Sequence, residues 1–593
     1  MIQLLVLWGY LFAINACIGT GVLRILEKCL HGRQESSFAR ENSVPWIELA
    51  GVIAITVYAE AFSLFGPVGR EAHLLLLGVT ALLAFWCRQT LKKAAGRVLR
   101  ILFSWDGALY LCLILLTALF TSRGMQHTDT GIYHAQMIRW YEEYGVVKGL
   151  GNLQQHFAYN SASLAYAAFF SMKWLVGQSL HGTNGFLQAF MVVWAVRGLR
   201  GAWKRQNHLA DGCRIAVLLY ALVVSERIMS PATDFSAMYL VLWIVCLWAD
   251  LLTEGEELQK RADFAEKTCS PKEEQTAAES NRIHGYALLS IAAAYVASCK
   301  LSAGCLVVLA VYPLVKLLQG RKWRSIFIYL LCGVLVLAPW LVRNVVISGW
   351  LLYPFTALDL FHVDWKIPAE YVEHDSAQIK VWGRCLYDVT KIDDPISSWL
   401  PAWWGEKRRE EMMLLIGNAI AAAGLALGAV RTAAARCGRL PLDKAMLYLA
   451  VLCSLAGWFL TAPFIRYGLA FLLLLPCMVL GEWIRPVRMG PVRILSGFGC
   501  VGIFLCLGMF WDYYVLFDLV WVKQNMRSAY YVTQQDYDRP EVYPYEIEGG
   551  LTVYIPKEGD NISYHAFPGD AYQSMAERVK MRGDDIRDGF MTK

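Results

Sequence analysis

The chain has 593 residues, of which 56% are hydrophobic and only 18% charged, with a formal net charge of +6. A soluble domain carries about a quarter charged residues, so this composition excludes an ordinary soluble fold. The basic residues lie in short loops between apolar runs, which excludes a nucleic-acid-binding patch.

Apolar runs of about 17–25 residues can each cross a hydrocarbon core about 30 Å thick. They predict spans at 2–23, 45–66, 72–87, 104–121, 183–198, 213–228 and 235–252. Seven more follow at 285–299, 302–318, 325–343, 412–430, 445–462, 467–484 and 492–514. The expected fold is an all-α polytopic transmembrane protein of about fourteen helices. Its 22 Trp and 29 Tyr suit many membrane–water boundaries. The first 25 residues show no basic n-region and no small-residue cleavage site, so the start reads as a retained helix. The 16 Cys fall mostly inside apolar runs without a CxxC pair, which points to neither a disulfide framework nor a zinc site.

Sidedness follows from Lys and Arg in short loops. One alternating set holds Lys28/Arg33/Arg40, Arg88/Lys92/Lys93/Arg97/Arg100 and Arg197/Arg200/Lys204/Arg205/Arg214. It continues with Arg321/Lys322/Arg324, Arg431/Arg436/Arg439/Lys444 and Arg485/Arg488/Arg493. All of these share the cytoplasmic side only if the apolar run Ser161–Gly177 does not cross, so that run reads as interfacial or re-entrant. Both termini are then extracytoplasmic, in a multi-pass protein of the plasma membrane. The variable stretch Glu254–Arg282 reads as a disordered inner loop. The outer segments are 121–160, 230–234, 347–411 and a tail from about Phe517. The expected organisation is N-terminal helices at 1–103, a core at 104–484, a last helix at 485–516 and an outer appendage at 517–593. The run Leu551-Thr-Val-Tyr-Ile-Pro556 predicts a strand in that appendage.

The first outer loop reads His127-Thr-Asp129-Thr-Gly131-Ile-Tyr133-His134. Beyond it, Tyr133, Met137, Trp140, Tyr141 and Tyr144 follow helical spacing, with Arg139, Glu142 and Glu143 off that face. This pattern predicts a helix in the interface plane, with Glu142 and Glu143 solvated. Asp129 precedes that helix and reads either as its N-cap or as a functional acid. Single ionisable residues stand at other span ends: Arg227 and Asp234 around Ser230-Pro-Ala-Thr, Lys300, Arg343 and Arg466. The positive-inside rule disfavours cations there, and a charge near hydrocarbon is a functional candidate by default. Together they could receive a lipid phosphate or diphosphate. Glu60, inside the second span, suits a helix–helix hydrogen bond. The loop 347–411 combines Asp359, Asp364, Asp375, Asp393 and Asp394 with several Trp, which fits a membrane-interface segment or a sugar platform.

The order of these features resembles the GT-C superfamily, polytopic glycosyltransferases that take sugar from polyprenyl-phosphate carriers. The resemblance is to the branch of protein O-mannosyltransferases and lipid A aminoarabinose transferases. It is architectural over roughly residues 104–484, and motif-level only around Thr128–Glu143 and Pro231–Asp234. It implies that Asp129 is the catalytic acid of the first outer loop and Asp234 the second outer acid. Asp129 is followed by Thr130, whereas many members carry an acidic pair there. The chain is also similar to a narrower set of uncharacterised bacterial membrane proteins with the Thr-Asp-x-Gly-x-Tyr-His, Ser-Gly-x-x-Leu-Tyr-Pro and Arg-Tyr/Phe-Gly stretches.

The resemblance implies transfer of a sugar from a lipid-linked donor to an extracytoplasmic glycan or lipid acceptor. Asp129 would take the acceptor proton. His127, His134, Lys300, Arg343 and Arg466 would bind substrate, and Asp234 would orient the acceptor or position a cation. No cofactor is firmly indicated, and a divalent metal stays open. The partners are the bilayer and the two substrates, with no nucleic acid. A flippase or transporter for isoprenoid-linked glycans, or an O-antigen-type polymerase or ligase, is the alternative.

Overall fold

The computed structural model describes residues 1–31, 43–124, 127–202, 207–265, 272–434, 441–483 and 530–593. The predicted span 492–514, the segment 485–516 that holds it, and the basic residues Arg33, Arg40, Lys204, Arg205, Arg436, Arg439, Arg485, Arg488 and Arg493 lie outside the described residues.

The protein is mostly helical. The first part runs α1 (Ile2–His31), α2 (Val44–Ser63), α3 (Arg70–Trp86), α4 (Arg88–Leu102), α5 (Trp105–Thr121), α6 (Ala135–Glu143) and α7 (Ala162–Phe169). The bundle continues with α8 (Thr183–Leu199), α9 (Leu209–Val224), α10 (Thr233–Ala265) and α11 (Lys272–Cys299). A 3₁₀ segment (Leu301–Ala310) leads into α12 (Val311–Gln319), followed by α13 (Trp323–Ser348), α14 (Ala369–Gly383) and α15 (Ile396–Gly405). The helices close with α16 (Arg409–Ala434), α17 (Leu442–Thr461) and α18 (Ile465–Trp483).

Among the described residues, eight helical stretches are long and apolar enough to cross a membrane, or nine if the bent pair α3–α4 counts as one. Their side chains show why water cannot be the solvent. On α13, Phe327, Leu330 and Val334 form an exposed apolar stripe, which only lipid covers without cost. From Ala237 to Ala249 every residue of α10 is buried, as expected of a helix apolar on all sides and packed at the centre of a bundle. Small residues set the closest approach. A Cβ on Gly19 of α1 would meet the Ile47 carbonyl oxygen at 1.9 Å, and one on Gly51 of α2 would meet the Asn15 carbonyl oxygen at 2.3 Å. The protein is a multi-pass membrane protein.

The polar contacts sort by end of the bundle. At one end Arg24 Nη1 donates to the Trp86 carbonyl (3.1 Å), Arg200 pairs with Asp106, Lys322 Nζ donates to Ser280 Oγ (2.7 Å) and Lys444 pairs with Glu482 (2.5 Å). The described members of the basic loops gather there. Asp129, Asp234, Lys300, Arg343 and Arg466 stand at the other end.

Three expectations change. Most of Glu254–Arg282, expected to be a disordered loop, is helical, since α10 runs to Ala265 and α11 starts at Lys272. Its Glu, Lys, Gln and Ala are good helix formers, and they extend helices already nucleated in the bundle. Ser161–Gly177 does not cross. Ala162–Phe170, with the eight-residue α7 about 12 Å long, is buried inside the bundle, which fits the re-entrant rather than the interfacial alternative, and only the short turn Lys173–Val176 exposes apolar side chains. The helix after Asp129 does not float in an interface either, because the tail covers its polar face.

In the tail, β1 (Val542–Glu546) pairs antiparallel with β2 (Thr552–Pro556), and β3 (Val579–Met581) pairs antiparallel with β4 (Phe590–Thr592). The appendage clamps α6. Gln136 Nε2 donates to the carbonyls of Ser563 and Ala566 (both 2.8 Å), and Arg139 Nη1 to those of Tyr564 and His565 (both 3.1 Å). Glu142, read as solvated, accepts from Ser179 Oγ (2.7 Å) and the Tyr564 hydroxyl. Burial raises its carboxyl above the usual range, against the pull of those hydrogen bonds and of Lys173. Helical periodicity identifies the polar face of α6 but not the partner 400 residues away. Gln136→Leu strips two carbonyls of their donor, at about 1–3 kcal/mol for groups left buried and unpaired. The expected result is faster limited proteolysis within 530–593 at unchanged helix content. An unchanged cleavage rate would mean that the tail is held elsewhere.

Candidate functional site

Four chain breaks at one end of the bundle deliver the charged residues. After α5, residues 127–129 lead into a single π-helical turn, Thr130–His134, which then tightens into α6. Such turns are rare and recur at functional sites. The turn is held from outside, because the Gly131 carbonyl accepts from the backbone N–H groups of Ile562 (3.1 Å) and Ser563 (2.9 Å) of the tail. Before α10, Asn184 Nδ2 donates to the carbonyls of Ser230 (2.8 Å) and Ala232 (3.0 Å), fixing the turn that starts the helix at Thr233. Asp234 therefore sits in a first helical turn, where the helix dipole favours a carboxylate. Lys300 is the single extended residue between α11 and the 3₁₀ segment, and Arg466 is the second residue of α18.

These residues converge. Arg466 Nη2 lies 3.0 Å from Asp129 Oδ2, its Nε 3.7 Å from Asp234 Oδ2, and its Nη1 donates to His127 Nε2 at 3.2 Å. Lys300 pairs with Asp234 and lies over the Tyr467 ring, 3.9 Å from its centre. Asp234 is buried, while the side chain of Asp129 is 20% exposed and that of Arg466 37%. Asp129 makes no side-chain capping bond to its helix. Of its two readings from the sequence, the N-cap is the one the geometry does not provide.

Because Arg466 donates to Nε2 of His127, that ring is neutral with its proton on Nδ1. Burial lowers the His127 pKa, with Asp129 and Asp234 opposing and Arg466 and Arg227 reinforcing. Burial also holds His134 well below its ordinary value. Burial pushes the Asp129 carboxyl up, but Arg466, with His127 and Lys300, outweighs it and keeps the group below the usual carboxylate range. At neutral pH the cluster thus holds two carboxylates, two cations and neutral imidazoles.

Around it stand buried polar atoms with no hydrogen-bond partner among the described residues: His127 Nδ1, His134 Nε2, Gln154 Oε1 and His156 Nδ1. His156 stacks on Tyr133 with ring centres 5.4 Å apart. Behind it the Asp375 carboxylate accepts from the hydroxyls of Tyr159 (3.0 Å) and Tyr353 (2.9 Å). Unpaired buried polar atoms are rare in proteins, and each needs a reason. Here they stand close to an ionised carboxylate, Asp129.

Of the seven site residues expected from sequence, the structure brings together His127, Asp129, His134, Asp234, Lys300 and Arg466. Arg343 lies apart. It is fully buried, donates to Ser63 Oγ (2.5 Å) and Asn160 Oδ1 (3.1 Å), and covers the Tyr141 ring at 3.9 Å. An arginine at a span end looks the same in sequence whether it faces a headgroup or a neighbouring helix. Sequence reading passed over His156 and Tyr467. His156 sits in the 3₁₀ turn Gln155–Tyr159, which has no periodicity, and Tyr467 carried no signal beyond its place beside Arg466.

His127, Asp129 and Asp234 bring one ligand atom each within 4.8 Å of one another, a set that could hold a metal ion. The geometry does not fit one. Arg466 already occupies His127 Nε2 and one oxygen of each acid, and Lys300 compensates Asp234, so a divalent ion would meet two cations at contact distance.

No curated protein and no solved structure matches the chain significantly. A family match covers residues 1–473, so it takes in His127, Asp129, Asp234, Lys300 and Arg466 and stops short of the tail that closes over them. On that match the chain belongs to the family described as a domain of unknown function, DUF8201.

Proposed function

We propose that the protein is a fourteen-span glycosyltransferase of GT-C architecture in the plasma membrane. It moves a sugar from a polyprenyl-phosphate donor to a hydroxyl of an extracytoplasmic glycan or lipid. The observation that carries this reading is Asp129, an ionised carboxylate that caps nothing and faces unpaired imidazole and amide atoms. In the reaction the acceptor oxygen attacks the anomeric carbon, its proton passes to Asp129, and the bond from that carbon to the phosphate oxygen breaks. Lys300 and Arg466 take up the negative charge that develops on the leaving phosphate, and the exposed Arg227 adds a cation at the entrance. A carboxylate paired with Arg466 is a weak base. A donor phosphate competes for the same guanidinium, and as it draws Arg466 away, burial restores the basicity of Asp129. Donor binding thereby switches the base on.

Two observations test the coupling. Arg466→Gln removes the cation that holds the Asp129 carboxyl down, so burial dominates and its pKa rises. In the wild type the acid limb of the kcat/KM profile, which reports the free enzyme with Arg466 still on Asp129, lies below about pH 4, the ordinary carboxylate range. In Arg466→Gln it moves upward, and the rate at saturating donor falls. An unmoved limb would show that Asp129 is not the titrating group. Cells lacking the protein are expected to accumulate a polyprenyl-phosphate-linked sugar, cleared by the wild-type gene but not by Asp129→Asn. If no lipid-linked sugar accumulates, the transferase reading fails.

A second reading has one observation in its favour. Glu48 and Glu60 are both buried within α2. Acids at that depth suit a proton-coupled transporter of isoprenoid-linked glycans. Loss of lipid-glycan translocation in Glu48→Gln, with transfer intact, would favour it.

A further inference from the structure

The opposite end of the bundle carries a feature that the site does not use. The chain turns by 90° between α3 and α4, so α4 runs across the bundle rather than through it. It is strongly amphipathic. Arg88, Lys92, Lys93, Arg97 and Arg100 occupy one half of its circumference, and Leu91, Val98, Ile101 and Leu102 the other. It carries no acid and buries no residue. Just beyond it Phe103 is 87% and Trp105 99% exposed, side chains that water would not leave uncovered in a folded soluble protein. This is the pattern of a helix lying in the plane of a membrane surface with anionic lipid above it.

Beneath α4 opens an apolar groove of about 370 Å³. Gly9 and Phe12 of α1, Ile114 of α5, Phe190 of α8, and Ile101 and Leu102 of α4 line it. Along α8 it runs from Phe186 to Arg197. At 1.5 Å per residue that is about 16 Å, half of a hydrocarbon core about 30 Å thick, and so the depth of one leaflet. Arg197 closes its polar end. That side chain is exposed and makes no hydrogen bond or ion pair among the described residues, in contrast to Arg200, one turn on, which is paired with Asp106.

From the bend, the one-sided basic face, the leaflet-deep groove and the unpaired Arg197, we infer that this is a binding site for one anionic phospholipid. An acyl chain lies in the groove, and the phosphate sits between Arg197 and the basic face of α4. By the positive-inside rule the lipid belongs to the cytoplasmic leaflet. Charge selects this occupant over a zwitterionic lipid, since each Lys or Arg near a surface favours anionic headgroups by about 1 kcal/mol, or roughly fivefold.

The test uses the full chain reconstituted in bilayers of equal phosphatidylglycerol and phosphatidylcholine. The protein is then extracted gently, and the retained lipid is identified by native mass spectrometry. The wild type is expected to retain phosphatidylglycerol about fivefold over phosphatidylcholine for each cation engaged. In Arg100→Gln/Arg197→Gln the two lipids should return toward equal retention. Gly9→Phe fills the groove. A Cβ there meets nothing within 4 Å, so the backbone admits a side chain at that position, and retained lipid of either kind should drop. Equal retention of the two lipids by the wild type would overturn the proposal, as would full phosphatidylglycerol retention by a monodisperse, helical Gly9→Phe variant.

Discussion

Asp129→Asn is expected to fold, insert and bind donor like the wild type, yet to transfer sugar about a hundredfold or more slowly. The amide keeps the shape of the carboxylate and can still contact Arg466, but it cannot accept the proton of an acceptor hydroxyl. A purely capping Asp129 would predict full activity, since Asn caps as well as Asp, but the side chain makes no capping bond. Asp129→Glu should also fail, because its extra methylene displaces the carboxylate by about an ångström, and misplacement of that size costs about 10²-fold. Transport requires no deprotonated hydroxyl, so a transporter gives no reason for either loss. The check is single-turnover transfer by purified variants, with donor binding measured separately. Full transfer by Asp129→Asn would remove the residue from the chemistry.

Arg343→Met should show the opposite pattern, a loss of fold rather than of chemistry. Its guanidinium joins Ser63 at the end of α2, Asn160 before α7 and the ring of Tyr141 in α6, all without solvent. Glu60 lies within electrostatic reach on the same helix as Ser63. Removing the guanidinium leaves Ser63 Oγ and Asn160 Oδ1 buried without their donor, at about 1–3 kcal/mol for each group. The expected result is a strongly lowered unfolding midpoint in detergent. Arg343→Lys should recover only part of it, since an ammonium lacks the planar fork. A phosphate-binding Arg343 would instead leave the midpoint alone and weaken donor binding, so one thermal measurement separates the two roles.

The contrast between these two residues shows how far the sequence reaches. Spans such as Trp323–Ser348 are legible because a membrane crossing is a local property, a sufficient run of apolar side chains. Asp129, Asp234, Lys300 and Arg466 are legible as candidates because each is a charge where hydrocarbon makes charge expensive. Their convergence through one guanidinium is not legible, and neither is the separate burial of Arg343. Both depend on which helices are neighbours. Glu142 and Gln136 mark the same limit, since hydropathy scores a buried hydrogen-bonded side chain and a solvated one alike. The ends of α10 and α11 erred in the other direction. Their charged composition suggested disorder, but a helix already nucleated extends cheaply through good helix formers.

The clamp of the tail on α6 also sets an order of assembly. Gln136 and the Ser563 carbonyl that it bonds are 427 residues apart. At synthesis rates of about 5–20 residues per second, the tail emerges roughly 20–90 s after α6. Through that interval the amide of Gln136 and the carbonyl of Gly131 must find water as their partner, and the region around Asp129 has no outer wall. The part of the chain that closes this site is thus made long after the site itself. A ribosome that stops before the tail releases a protein with its described helices in place and Asp129 open to the solvent.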